Sequence, residues 1–123
     1  MLEAYSVNKQ VGAVEPIPFD NVTLRKGCTA VLSGASTIEL NKCGVYMVSL
    51  DGVAGTSTTV QMFKNGVAQP QAQSTGTTLG FTTLVQVPNN NCNCPCVSGT
   101  TLQFINETAA TFDNVNVVVT KVS

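Results

Sequence analysis

Histidine and tryptophan are both absent from this chain of 123 residues. Without histidine there can be no Ser-His-Asp arrangement, and no imidazole is present to convert a cysteine into a reactive thiolate. The sequence has seven Asp and Glu residues, but none of them is grouped at a spacing that suggests acid–base catalysis. We therefore expect no catalytic residues and no cofactor, and we predict that the chain is not an enzyme.

Charge is also sparse, since Lys, Arg, Asp and Glu make up 11% of the residues and the net charge is −1. The chain has six Lys and Arg residues, and five of them are scattered along the sequence at Arg25, Lys26, Lys42, Lys64 and Lys121. This scatter predicts no basic patch of the kind that neutralises nucleic-acid phosphates. No apolar run approaches the roughly 20 residues that cross a bilayer, and the N-terminus lacks a signal-peptide pattern. Neither nucleic acid nor a membrane is an expected partner.

What the chain does contain is a large share of hydrophobic residues, 43%, which alternate with polar residues at a period of two. Gly, Pro or Asn interrupts most of these segments within ten residues, which is typical of an all-β domain. Asn65-Gly66 is the best hairpin signal, because a type I′ turn needs positive φ at both central residues. The predicted strands are Glu3–Asn8, Asn21–Leu24, Ala30–Leu32, Thr37–Leu40, Val45–Leu50, Thr58–Lys64, Val67–Ser74, Gly80–Val87, Thr101–Asn106 and Asn114–Val122.

About ten short antiparallel strands in one small domain favour a closed or doubled sheet, and a compact jelly-roll sandwich is the leading architecture. An immunoglobulin-like sandwich is the alternative, although the chain has no Trp for the packed Cys–Trp–Cys core of that fold. The predicted strand Val45–Leu50 is apolar on both faces over most of its length. Such a strand belongs in a sandwich interior or at an interface between subunits.

Four segments, in order, carry a family resemblance. They are Pro18-Phe19-Asp20-Asn21-Val22, Gly44-Val45-Tyr46-Met47-Val48-Ser49, Phe63-Lys64-Asn65-Gly66 and Thr111-Phe112-Asp113-Asn114-Val115, the last followed by Val117-Val118-Val119. From Val14 to Val122 the chain resembles the tumour-necrosis-factor and complement globular-head superfamily. The resemblance implies a TNF-like jelly roll over residues 14–123 that forms a tight homotrimer about a threefold axis. Residues 1–13 are then an N-terminal arm or an edge strand.

A trimer of this kind is stabilised by apolar strand faces that one subunit cannot bury by itself. Five apolar residues of the predicted strands are candidates for the trimer interface, without assignment to a particular sheet face. They are Val45, Met47, Phe63, Phe104 and Val117.

Five cysteines form two groups. Cys28 and Cys43 flank the predicted hairpin over Ala30–Leu40, so they are candidates for a disulfide or for buried thiols that act as small hydrophobes. Cys92, Cys94 and Cys96 alternate in a loop rich in Asn, and in an extended segment their thiolates project to one side and could hold a metal. Structural zinc sites usually use CxxC turns, however, and a disulfide within this loop or between subunits is the alternative. The odd total leaves one thiol over or pairs it across a symmetry axis.

Two Phe-Asp-Asn-Val phrases repeat at Phe19 and Phe112, and each is interpreted as a core Phe followed by an Asx turn. A calcium site is the other interpretation, but Asp20 and Asp113 alone fall short of the usual six to eight oxygen ligands. The N-glycosylation pattern occurs at Asn21 and Asn106, and we discount both because the chain is rich in Asn and Thr and shows no secretory signal.

The resemblance extends to small bacteriophage virion proteins and to heads of bacterial spore-surface proteins. It leads us to predict a homotrimeric capsid decoration protein on the virion surface, which docks on the major capsid protein or another virion component and stabilises the particle. The alternative is a trimeric recognition head of a phage fibre or of a bacterial spore or cell surface. In that role the predicted loops around Ser74–Thr78 and Asn89–Val97 contact a host glycan or protein.

Overall fold

A computed structural model of the chain describes residues 1–27, 29–87 and 100–122, and its regular structure is β throughout those ranges. The described strands differ greatly in length, from two to 21 residues. In chain order they are β1 (Leu2–Val11), β2 (Glu15–Pro16), β3 (Asn21–Arg25), β4 (Ala30–Ser33), β5 (Thr37–Leu40), β6 (Gly44–Lys64), β7 (Val67–Val87), β8 (Thr100–Asn106) and β9 (Ala110–Lys121).

The strands are joined in one hydrogen-bonded path, β3-β1-β9-β6-β8-β5-β4, with β2 paired to β8 and β7 paired to β6. The first half of β6 pairs with β9 and its second half pairs with β8. Because β7 follows β6 along both halves, the β6–β7 ribbon passes from one layer to the other. The first sheet therefore contains β3, β1, β9 and the 44–53/78–87 part of the ribbon. The second contains β4, β5, β2, β8 and the 58–64/67–76 part.

The continuous β6 and β7 correct the predicted strand boundaries. Val45–Leu50 and Thr58–Lys64 are two parts of β6, and Val67–Ser74 and Gly80–Val87 are two parts of β7. Asp51-Gly52, a dipeptide that is typical of turns, lies inside β6. Gly52 is needed there for close approach rather than for a turn, because a Cβ at this position would lie 3.1 Å from the carbonyl oxygen of Asn114. The predicted hairpin at Asn65-Gly66 is confirmed, with φ of 51° and 81°.

The core lies between the two sheets and is built from alternate residues of each strand. In β8, Leu102, Phe104 and Asn106 are buried while the residues between them are half-buried. The Phe104 ring meets Phe81 of the first sheet at 6.0 Å and meets Phe19 edge-on at 5.9 Å. Both repeated phenylalanines, Phe19 and Phe112, are buried, as the sequence predicts.

Asn106 is a buried polar residue that ties three segments together. Its side-chain amide donates to the carbonyl oxygens of Val11 at 3.2 Å, Gly12 at 3.3 Å and Thr108 at 2.7 Å. Its side-chain carbonyl accepts the Thr58 hydroxyl at 2.5 Å. Asn106 is one of the two asparagines that match the N-glycosylation pattern. It has no exposed surface, so it cannot be glycosylated in the folded chain.

Residues 1–13 do not form a separate arm or an edge strand. Instead, β1 lies inside the first sheet between β3 and β9, and it pairs with β9 from Leu2 to Val11. Leu2 and Ala4 are fully buried in the core. The predicted boundary at residue 13 is therefore wrong, because removing β1 would open the sheet and expose part of the core.

Tyr46 gives the fold a pH dependence at the alkaline end. Burial raises the pKa of its phenol above the usual 10.0. The hydroxyl also donates a hydrogen bond to the Lys42 carbonyl oxygen at 2.7 Å, which only the neutral phenol can make. The folded state therefore favours the neutral phenol. This contribution to stability is complete below the unfolded pKa near 10 and is lost as the pH rises through the folded pKa.

We predict that the free energy of unfolding falls above about pH 10 and that Tyr46→Phe makes this fall shallower. The same substitution lowers stability at neutral pH by about 1 kcal/mol, because it removes the hydroxyl's hydrogen bond. Urea denaturation followed by circular dichroism at pH 8 to 11 measures both effects. Tyr5→Phe, the same substitution at the chain's other tyrosine, which is half-buried, is the matched control. An unchanged alkaline slope in Tyr46→Phe would contradict the assignment.

Candidate self-association face

One side of the first sheet turns away from the core and forms the candidate site. Its register places Met47 of β6 directly between Leu84 of β7 and Thr120 of β9. Two rows below, Asp51 lies between Gly80 and Asn116, and Asn116 in turn lies beside Tyr5 of β1. We call this surface the outer face of the first sheet. Its residues are Glu3, Tyr5, Val7, Leu24, Val45, Met47, Ser49, Asp51, Val53, Thr78, Gly80, Thr82, Leu84, Gln86, Asn114, Asn116, Val118 and Thr120.

Eight of the eighteen residues on this face have large apolar side chains, and the face is open in the single chain. Leu84 is 63% exposed and Val7 is 51% exposed, and Leu24 and Val53 are also among the exposed large hydrophobic residues. Tyr5, Val45, Met47 and Val118 on the same face are half-buried. Val45 and Met47 follow each other on this face and Leu84 lies beside Met47, and an exposed apolar patch of this kind usually marks an interaction site.

The outer face of the second sheet has a different character. The Gln103 side-chain amide donates to the Thr37 hydroxyl at 3.0 Å, and the hydroxyls of Thr59 and Thr75 are 2.8 Å apart. These polar side chains therefore satisfy one another along the surface. The outer face of the first sheet also has a pair of this kind, since the Thr82 hydroxyl donates to the Ser49 hydroxyl at 3.2 Å. It differs in carrying four exposed large hydrophobic residues, which an additional subunit can cover with apolar contact; they are Val7, Leu24, Val53 and Leu84.

Asp51 is the main polar feature near the centre of the candidate face. A Cβ on Gly80 would lie 2.9 Å from its Oδ1 atom, so the carboxylate leans over the neighbouring strand where a side chain is lacking. Glu3 is the other charged residue on this face, and it accepts a hydrogen bond from the Thr23 hydroxyl at 2.9 Å. A carboxylate withdrawn from water needs hydrogen-bond partners. Any subunit that covers this face must leave Asp51 hydrated or provide it with donors.

The five predicted interface residues fall in three different places. Val45 and Met47 lie on the outer face of the first sheet, whereas Phe63 lies on the outer face of the second, opposite Gln103. The prediction is wrong for Phe104 and Val117, because both have 0% exposure and lie in the core of the single chain. The residues that the sequence did not single out, chiefly Leu84, Val53 and Val7, are more exposed than any of the five.

Of the five cysteines, only Cys43 lies among the residues that the structure describes. Cys43 is disulfide-bonded. Cys28, its predicted partner, and Cys92, Cys94 and Cys96, the candidate metal ligands, all lie outside the described residues, so the pairing and the metal site stay predictions. Within the ranges that are described, no group of three or more Cys, Asp and Glu side chains is placed to hold a metal. Asp20 instead pairs with Lys9, its Oδ2 atom 3.0 Å from Nζ.

The predicted recognition loops also need correction. Residues 74–78 are part of strand β7, where Thr75 pairs with Thr59 and Gly76 pairs with Thr58. They form a β-ribbon corner, so the prediction of a loop there is wrong. The second predicted loop, Asn89–Val97, lies outside the described residues. Among the described residues, no helix is long and apolar enough to cross a membrane.

The chain was compared with protein families, with curated sequences and with solved structures. No protein-family model and no curated protein sequence matches the chain. Among solved structures, it is similar to the globular domain of zebrafish complement 1qA protein, with a TM-score of 0.74, 7% identity and coverage of 99% of this chain and 96% of that one.

It is also similar to rabbit GITRL, with a TM-score of 0.64, 10% identity and coverage of 100% and 95% of the two chains. Similarity to PRD1 vertex protein P5 gives a TM-score of 0.61, 14% identity and coverage of 99% and 96%. At identities this low the structural similarity shows the fold alone. It confirms the jelly-roll architecture that the sequence predicts. The chain has the TNF-like jelly-roll fold of the complement and TNF-ligand heads.

Proposed function

We propose that the chain is a non-enzymatic structural protein of a virion, which assembles as a homotrimer and decorates the capsid. The exposed apolar residues on the outer face of the first sheet, chiefly Leu84, Val7 and Val53, are the observation that carries the assembly. Burying apolar surface contributes about 25 cal/mol per Å², and a stable interface removes about 800 Å² from each partner. The second outer face, with its Thr and Gln side chains bonded to one another, remains suited to water.

Three copies rather than two are proposed because of the family resemblance. In the superfamily that the sequence resembles, the jelly roll closes into a ring about a threefold axis. A ring of this kind joins two different patches of neighbouring subunits, whereas a twofold dimer must pair one patch with itself. Asp51 supports the ring arrangement, since twofold contact at the centre of the face would bring two like carboxylates together.

The virion role is supported by the shared fold of PRD1 vertex protein P5. A passive structural role agrees with the composition, which has no histidine and no grouped carboxylates. The proposed partners are the other subunits of the trimer and the major capsid protein or another virion component. The mechanism needs no chemistry, because the trimer stabilises the shell by bridging neighbouring capsid subunits.

Immunogold labelling tests the location. Antibody raised against the purified protein is applied to intact particles from cells that carry the gene, and the same particles after disruption serve as the control. Labelling of intact capsids supports decoration. Labelling confined to fibre tips, or to bacterial surfaces instead of particles, would contradict decoration and favour the recognition-head alternative.

A further inference from the structure

The fold gathers positive charge that the sequence disperses. Arg25 lies opposite Leu2 in the β1–β3 pair, and the Lys26 amide donates to the Met1 carbonyl oxygen at 3.0 Å. Lys121 lies opposite Tyr46, whose hydroxyl bonds to the Lys42 carbonyl oxygen at 2.7 Å. These contacts bring residues that are up to about 100 positions apart to one end of the first sheet. We call this end, with Arg25, Lys26, Lys42, Lys64 and Lys121, the basic end.

Lys64 reaches the same end from the other sheet. Its Nζ atom donates to the Gln86 carbonyl oxygen at 2.8 Å, and Gln86 is paired with Val45, next to Tyr46. Five of the six Lys and Arg residues therefore lie at one end. The sixth, Lys9, pairs with Asp20. The cations are scattered along the sequence, but the fold brings five of them together. The prediction that they form no basic patch is therefore wrong.

The opposite end carries the opposite charge. Glu15 pairs with Asn106 at the turn after β1, and the Glu107 amide donates to the Thr59 carbonyl oxygen nearby. Asp113 follows Phe112 at the register shift of the same region. Two carboxylates, Glu3 and Glu39, lie closer to the basic end and reduce its net charge without cancelling it. The chain is therefore polarised along its strands, and an anionic partner meets the basic end first.

Spacing and exposure suit a partner with repeated charges. The contributing strands β3, β1, β9 and β6 are consecutive in the sheet, and neighbouring strands are about 4.8 Å apart. The cations therefore form a band across several strands instead of converging on one point. Arg25 and Lys26 are exposed and Lys42 is half-buried, and within the described part of the chain these three side chains make no ion pair. A band of this kind fits a linear polyanion better than a single small anion.

The surrounding residues distinguish among classes of polyanion. Single-stranded nucleic acid is held by aromatic side chains on which bases stack. Here Tyr46 is buried. Tyr5 and Phe63 are both half-buried and lie on the outer faces of opposite sheets, so they do not form one stacking platform. Protein interfaces are depleted in Lys, whereas four of the five cations at this end are Lys. A hydrated polysaccharide with carboxylate, sulfate or phosphate groups needs neither aromatic side chains for stacking nor an interface poor in Lys.

We infer that the basic end is a binding surface for an acidic polysaccharide. The charge arrangement belongs to a single chain, so the inference does not depend on the proposed trimer or on a virion location. A trimer would present three basic ends and increase the avidity of binding.

Binding to two carboxylate polymers, polygalacturonate and poly-L-glutamate, and to the oligonucleotide (dT)20 tests the inference at about 50 mM salt. Salt at this level leaves exposed charges incompletely screened. The wild-type protein is expected to bind polygalacturonate and to lose affinity as salt increases. We expect the double variant Lys26→Ala/Lys42→Ala to lose at least about tenfold in affinity, given that each contact to a polyanion is electrostatic. Lys9→Ala, at the other end, is the matched control and changes affinity less than twofold.

Three results would overturn the inference. Absence of binding to polygalacturonate would remove the site, and equal losses in the Lys9→Ala and double variants would show that binding reflects overall charge instead of this end. Tighter binding to poly-L-glutamate or to (dT)20 than to polygalacturonate would assign the surface to protein or nucleic acid. Light scattering on the same samples reports the oligomer separately, so failure of either proposal is recognised independently.

Discussion

Replacing Asn106 with leucine is expected to lower the free energy of unfolding by about 3 to 5 kcal/mol, since several buried polar groups lose their partners at about 1–3 kcal/mol each. The leucine side chain leaves the carbonyl oxygens of Val11 and Gly12 without the amide that they share. The Thr58 hydroxyl loses one acceptor but keeps the Thr108 carbonyl oxygen at 3.1 Å. The loss is therefore large but short of the sum of all four bonds.

The Asn106 variants are compared by urea denaturation at one fixed protein concentration, because assembly also contributes to apparent stability. Asn106→Asp provides a nearly isosteric second variant. It directs an oxygen in place of the NH₂ group toward three carbonyl oxygens, so we expect a loss at least as large at neutral pH. Asn21→Leu, the same change to leucine on an exposed edge strand, should stay within about 0.5 kcal/mol of wild type. A mild effect of Asn106→Asp would contradict the hydrogen-bond account.

Replacing Leu84 with glutamate is expected to weaken the proposed assembly by at least about 100-fold, or close to 3 kcal/mol. In the single chain Leu84 is 63% exposed, so the variant should fold normally. In the assembly the new carboxylate loses water beside Met47, and Asp51 already places one negative charge on the same face. Sedimentation velocity over a range of dilutions measures the dissociation.

Val67→Glu is the matched control for this prediction. Val67 has the same 63% exposure as Leu84 but lies next to the Asn65-Gly66 hairpin, outside the outer face of the first sheet. We expect Val67→Glu to keep the wild-type oligomer. If both variants dissociate alike, added negative charge alone disrupts the assembly. If neither dissociates, the outer face of the first sheet is not the interface.

Local patterns predicted much of the fold. The alternation in β8 and the positive-φ turn at Asn65-Gly66 follow from side-chain period and backbone sterics, which depend on neighbouring residues only. The same patterns failed in β6, where Asp51-Gly52 resembles a turn. Pairing with strands on both sides keeps that segment extended, and local sequence does not report this pairing.

The candidate surfaces were harder to predict because they depend on long-range topology. Met47 and Phe104 are both apolar residues within alternating strands, yet one lies on an outer face and the other in the core. Alternation shows that a strand has two sides but does not show which side meets the opposite sheet. The basic end likewise requires β3, β1, β9 and β6 to be consecutive in the sheet. Asn106 resembles any other polar residue at a strand end until its hydrogen-bond partners are in place.

The mass of the purified protein in solution tests the central claim most directly. Light scattering is measured across a wide range of dilution, with and without reductant, so that assembly through disulfides is distinguished from assembly through the apolar face. The proposal predicts a particle of three times 12.8 kDa that persists in reductant and dissociates only at high dilution. A mass of 12.8 kDa at all concentrations would contradict the trimeric assembly and leave the outer face of the first sheet open to water.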